Sequence, residues 1–191
     1  MRHARGLTLV ELMVVVAVAA LLLAIAAPSF RGLVEMQRLR SVNAALTTDI
    51  AYARSEAVSR SQLVRVEFNA ANGTLTCYVV FVGNPLSCDC TQTPACLPAA
   101  APVTREIRTV RVRRDLGVAI ALPTEQPEWF EFDPVTGGIR VYTLDTGLPV
   151  VQPFVVAVNG QRRGALRTTV NPAGRSDVCS PDASVSGVPS C

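Results

Sequence analysis

The chain begins with one apolar block and then changes rhythm twice. Residues 1–6 are short and polar, with Arg2 and Arg5 among them. From Leu12 to Ala27 every residue is apolar, and the one charge between Leu7 and Phe30 is Glu11. As a helix rising about 1.5 Å per residue, that stretch reaches roughly 36 Å, against about 30 Å of bilayer hydrocarbon. The arginines ahead of it predict a cytoplasmic start and an exported remainder. Past Phe30 the apolar positions thin to Leu39, Val42, Leu46, Ile50, Ala53 and Ala57, a spacing that lies on one helix face. Arg38, Asn43, Thr47, Thr48 and Arg54 fall largely on the other faces. The pattern predicts one helix from about Leu7 to Ser59, with its second part packed on a core. Pro28 lacks a backbone donor and crowds the carbonyl of Ala24, so a bend or local melting is expected there.

After Arg60 the period shortens to two. Leu63–Phe68 alternates, Asn72-Gly73 is a turn signal, and Leu75–Val82 reads as a second strand. Residues 83–104 are rich in Pro and Cys and read as a loop. Ile107–Val112, Val118–Leu122, Trp129–Phe132, Ile139–Leu144, Phe154–Val158 and Ala165–Val170 follow as strands. Asp133-Pro134, Gly137-Gly138, Asp145-Thr146-Gly147 and Asn159-Gly160 punctuate them. The class expected is α+β: a long N-terminal helix followed by a small antiparallel β domain.

Composition narrows the function. The 191 residues suit one domain with a modest extra element. All 18 basic residues are arginine, against 15 acidic ones, and a net charge of +3 does not by itself imply nucleic-acid binding. The single histidine, His3, excludes a His-based triad or a multi-His metal site. No Gly-rich phosphate loop follows a strand. Glu125, Glu128, Glu131 and Asp133 crowd together but read as a solvated loop and strand edge. Neither catalysis nor a cofactor is expected.

Three readings of the N-terminal block compete. It could be a secretory signal peptide cut after Ala24-Ile25-Ala26, an ordinary signal anchor, or a prepilin signal cut ahead of the apolar stretch. Glu11 separates them, because a carboxylate within a membrane helix costs about 2.5–3.5 kcal/mol and gives a signal peptide nothing. Gly6-Leu7-Thr8-Leu9-Val10-Glu11-Leu12-Met13 resembles the prepilin motif, in which a glycine precedes the cut and a glutamate stands fifth in the mature chain. The family usually has Phe or Met where this chain has Leu7. Ala53-Arg54-Ser55-Glu56-Ala57-Val58-Ser59-Arg60, Phe130-Glu131-Phe132-Asp133-Pro134 and Asn171-Pro172-Ala173-Gly174-Arg175 resemble stretches of the FimT/GspH family of minor pilins and pseudopilins.

That resemblance implies a leader at 1–6, a transmembrane and assembly helix at 7–30, an amphipathic continuation at 31–60, and a periplasmic β domain at 61–191. It implies cleavage between Gly6 and Leu7 by a prepilin peptidase, methylation of Leu7, and a role for Glu11 in assembly. The chain would sit in the inner membrane with its N-terminus in the cytoplasm, and then enter a pilus or pseudopilus. Its partners would be other pilins or pseudopilins and an inner-membrane assembly platform. A minor type IV pilin and a minor pseudopilin of a type II secretion system both fit. The Cys-rich loop and C-terminal loop favour the pilus.

Cys77, Cys88, Cys90, Cys96, Cys179 and Cys191 all follow the apolar block, on the exported and oxidising side, so disulfides are the default. Six cysteines allow 15 pairings. The spacing Cys88-x-Cys90-x5-Cys96 is not a usual zinc pattern, and no metal is expected. Resemblance to the C-terminal loop of pilins implies a bond between Cys179 and Cys191, and Cys77 is expected to bond into the Cys88–Cys96 loop.

Two arginine groups remain. Arg105, Arg108, Arg111, Arg113 and Arg114 lie around one strand and read as a solvated face paired with scattered carboxylates. Arg162, Arg163, Arg167 and Arg175 are expected to form a basic surface at one end of the β domain. Some FimT-like pilins bind DNA through Gly-Arg-x-Arg near the C-terminus, so the resemblance implies a weak, sequence-independent DNA contact there. This chain has Gly174-Arg175-Ser176-Asp177, and the aspartate puts a negative charge where the family motif has a positive one.

Overall fold

A computed structural model describes residues 8–70, 73–83, 88–96, 104–143 and 147–191, without the side chains of 26–29 and 31. The helix α1 runs Leu9–Arg60. Among the described residues the strands are β1 (Val64–Asn69), β2 (Leu75–Val82), β3 (Arg105–Arg113), β4 (Val118–Ala121), β5 (Trp129–Phe132), β6 (Ile139–Tyr142), β7 (Pro149–Val150), β8 (Phe154–Gly160), β9 (Ala165–Val170) and β10 (Ser176–Cys179). The chain divides into two compact units, residues 1–34 and 35–191.

In the first unit, Thr8 caps α1. Its Oγ1 accepts the Glu11 backbone N–H at 3.2 Å, which satisfies one of the donors a helix start leaves open. The large apolar side chains from Leu9 to Ile25 are exposed at consecutive positions, and so all around the helix. A helix apolar on every side needs a bilayer or other helices around it. Among the described residues no helix is long and apolar enough to cross a membrane. The run with described side chains before Ala26, Leu9–Ile25, is about 25 Å at helical rise, short of the roughly 30 Å of bilayer hydrocarbon. The helix is uninterrupted at Pro28, so the expected local melting is absent.

In the second unit, α1 buries Leu39, Leu46, Ile50, Ala53 and Ala57, with Val42 partly covered. Asn43 departs from the expected outer face. It is buried because its Oδ1 accepts the Thr168 hydroxyl at 2.9 Å. The helix closes on Ser61, whose φ of 52° is left-handed. Gln62 N–H donates to the Ala57 carbonyl at 3.2 Å and Ser61 N–H to Val58 at 3.4 Å, the paired bonds of a left-handed helix stop.

The strands form two antiparallel sheets, ordered β3-β2-β1-β5-β6-β7 and β10-β9-β8-β4. β1 pairs β2 with Val64 opposite Val82 and β5 with Val64 opposite Phe132. Alternation sends Val64, Val66 and Phe68 of β1 and Phe154, Val156 and Val158 of β8 into one core with the helix stripe. Phe154 joins the two sheets, its ring 5.6 Å from Phe68 and 4.7 Å from Phe130.

β2 is buried on both faces. Its second face, Cys77, Val79 and Phe81, is covered by Cys88, Cys90, Ala95 and Cys96. Disulfides join Cys77 to Cys90, Cys88 to Cys96, and Cys179 to Cys191. β7 and β10 are strands that the residue pattern did not mark. Both are short and depend on a longer neighbour for their pairing. Gly117 at φ 83° ends a short 3₁₀ turn, Arg114–Leu116, between β3 and β4.

Candidate functional site

Gly6 and Leu7 lie outside the described residues. Glu11 occupies the third helical position, three residues after the capping Thr8, which is the spacing of a capping box. The helix dipole also favours a negative charge in this first turn. Spacing and dipole alone therefore suit a carboxylate at position 11, so a test of Glu11 in assembly has to separate the charge from the helix start.

The arginines grouped from sequence do not form one surface. Arg162 and Arg163 sit in the β8–β9 turn, where the Arg162 backbone N–H donates to Glu35 Oε1 at 2.7 Å. Arg175 sits in the β9–β10 turn, at the other end of β9, roughly 20 Å away at about 3.3 Å per strand residue. Arg167 lies between them on the exposed face of β9. Strand geometry thus overrides nearness in sequence, and the expected basic end is two separate turns.

Around Arg175 the backbone is tightly built. Asn171 N–H donates to the Arg175 carbonyl at 2.8 Å, and Arg175 N–H donates to Asn171 Oδ1 at 3.0 Å. Gly174 has φ 77°, and a Cβ there would run into the Gly137 carbonyl. Arg54 of α1 reaches the same place and donates from Nε to the Gly137 carbonyl at 2.9 Å. Ala51, Arg54, Ser55, Val58, Gly174, Arg175 and Ser176 line an open cleft of about 540 Å³. Alternation along β10 turns Ser176 into that cleft and leaves Asp177 exposed on the other face, opposite Thr169 in register. Asp177 is not among the residues that line the cleft.

The β3 arginines are occupied by protein acceptors. Arg108 Nε meets Asp49 Oδ2 at 2.7 Å, and Arg105 lies 3.7 Å from Glu56. Arg111 donates to the carbonyls of Cys90 and Gln92, and Arg113 pairs with Asp115. Asp49 is buried and also accepts the Tyr78 hydroxyl at 2.7 Å; burial and this carboxylate push the phenol's pKa well up.

Glu131 and Asp133 are buried rather than solvated. Glu131 Oε1 accepts from Arg65 Nη2 at 2.7 Å and Nε at 3.1 Å, and its Oε2 accepts the Tyr142 hydroxyl at 3.0 Å. The Arg65 guanidinium also stacks 3.5 Å from the Trp129 ring centroid. Asp133 pairs with Arg140 and accepts the backbone N–H groups of Val135 and Thr136. These carboxylates are spent on structure. Among the described residues no group of His, Cys, Asp and Glu is placed to hold a metal ion.

A long N-terminal helix followed by antiparallel sheets, with the one acidic residue of the apolar stretch in the first helical turn, defines a pilin-like protein. Residues 1–27 match the prokaryotic N-terminal methylation motif. Residues 43–174 match the family described as type II transport protein GspH, and the chain belongs to that family. Among solved structures, the type IV minor pilin FimU of Pseudomonas aeruginosa strain PAO1 is similar in two crystal forms. One is 16% identical, with 80% of this chain and 98% of that chain covered at a TM-score of 0.49. The other is 14% identical, with 76% and 98% covered at 0.46. No curated protein matches the sequence.

Proposed function

We propose that this chain is a minor type IV pilin. Residues 1–6 are a leader removed by a prepilin peptidase between Gly6 and Leu7, and Leu7 becomes the methylated N-terminus. Residues 7–30 hold the chain in the inner membrane, with its start in the cytoplasm. Residues 31–60 continue the helix, and 61–191 form the periplasmic domain. An assembly platform then draws the chain into a fibre, where the helix exchanges lipid for neighbouring helices.

The observation that carries this reading is the apolar circumference of α1 with one carboxylate in its first turn. Glu11 there can neutralise the N-terminal amine of a neighbouring subunit, and pairing offsets part of the cost of holding either charge out of water. The family's description favours a second reading, a minor pseudopilin of type II secretion. Deleting the gene and scoring pilus-dependent motility, DNA uptake and exoprotein secretion in one strain separates the two. Lost motility with intact secretion supports the pilin, and the reverse supports the pseudopilin.

A further inference from the structure

Arg54 and Arg175 reach one cleft from two elements, α1 and the β9–β10 turn. Among the described residues neither guanidinium meets a carboxylate, whereas Arg105, Arg108 and Arg113 of β3 each do. Arg54 is nonetheless held in place. Its Nε is taken by the Gly137 carbonyl at 2.9 Å, and a Cβ on either Gly137 or Gly174, both at positive φ, would lie 3.2 Å from that nitrogen. Two glycine corners therefore fit around the guanidinium, and its Nη atoms are what it has left for an incoming acceptor. Val58 adds a half-exposed apolar wall, and Ser176 lies alongside.

We propose that this cleft binds a single carboxylate, an Asp or Glu side chain of an adjoining protein subunit, between Arg54 and Arg175. The guanidinium fork matches a carboxylate in geometry, and a donor already fixed at Nε loses little freedom on binding. A nucleic acid fits less well. A phosphodiester backbone needs a row of cations, yet Arg162 and Arg163 lie at the far end of β9 and Arg140 is paired with Asp133. That the neighbour is a fibre subunit rests on the assembly reading; the preference for a carboxylate does not.

The full chain in detergent micelles, labelled at the arginine side-chain nitrogens, is titrated by NMR with three probes: a capped Ala-Glu-Ala tripeptide, inorganic phosphate and a 12-base-pair duplex. The expected result is saturable shifts at Arg54 and Arg175 with the tripeptide at millimolar concentration. Arg167 should stay still as internal control, and Arg175→Gln should weaken binding at least tenfold. Arg175→Gln removes an exposed side chain and leaves its backbone bonds intact, whereas Arg54→Gln also cuts the tie to Gly137. Shifts no larger at the cleft than at Arg167 would overturn the proposal, as would saturation by phosphate or the duplex alone. In cells, Arg175→Gln should lower recovery in sheared fibres several-fold, and undiminished recovery would overturn the subunit as the carboxylate's source. If the wild-type chain is absent from fibres, the assembly reading fails while the titration still decides the cleft.

Discussion

Glu67 is a carboxylate whose surroundings oppose its charge. It stands on β1 beside Arg65, and its Oε2 is buried without a hydrogen-bond partner among the described residues. Burial pushes its pKa up to about 7; Arg65 pulls it down, while Glu128 and Asp89 push it further up. Because the folded value lies above that of the unfolded chain, the fold favours the protonated form. The stability Glu67 contributes is full below about pH 4.3, the ordinary glutamate value, and is lost as pH rises to about 7. Glu67→Gln should remove that slope and raise stability at pH 8 by on the order of 1 kcal/mol, allowing for solvent screening. Thermal unfolding of both proteins at pH 5 and pH 8 measures it, and equal slopes would contradict the account. Glu11 needs a different comparison, because it follows a cap. Glu11→Gln keeps a side chain able to complete a capping box but removes the charge, whereas Thr8→Ala removes the cap, at a cost of about 1 kcal/mol, and keeps the charge. Loss of fibre incorporation for Glu11→Gln alone is expected. Equal loss for both variants would reduce Glu11 to a helix-start residue.

At the scale of elements, the β9–β10 turn and the cysteine loop each offer a direct test. Gly174→Ala forces a Cβ onto the Gly137 carbonyl at a left-handed φ, so a loss of about 1–3 kcal/mol is expected. Replacing Cys77 and Cys90 together by serine opens a link spanning 13 residues and loosens the cover over Val79 and Phe81. Calorimetry should then show about 2–4 kcal/mol lost. The sequence made some of this readable and hid the rest for physical reasons. The helix stripe and the long strands could be read because burial imposes a period of 3.6 or 2 on the residues themselves. Asn43 could not, because its place depends on Thr168, 125 residues away. Nor could β10, a short strand of mixed polarity that exists by pairing with β9. The arginine grouping failed for a related reason. Residues 162, 163, 167 and 175 are close along the chain, but a strand runs between the turns that carry them, while Arg175 lines a cleft with Arg54 of α1.

In the whole molecule, a helix with exposed apolar side chains on all sides precedes a disulfide-linked β domain suited to an oxidising compartment. One chain meets both conditions if the helix is first anchored in a membrane and later packed among its neighbours in a fibre. That sequence requires the leader to be cut ahead of the apolar stretch, so that the anchor stays with the domain. Mass spectrometry of the mature N-terminus, on chain recovered from sheared fibres, tests this most directly. The account predicts a chain beginning at Leu7 with a methyl group on its amine and all six cysteines oxidised. A chain beginning at Ala27, released without its helix, would contradict it.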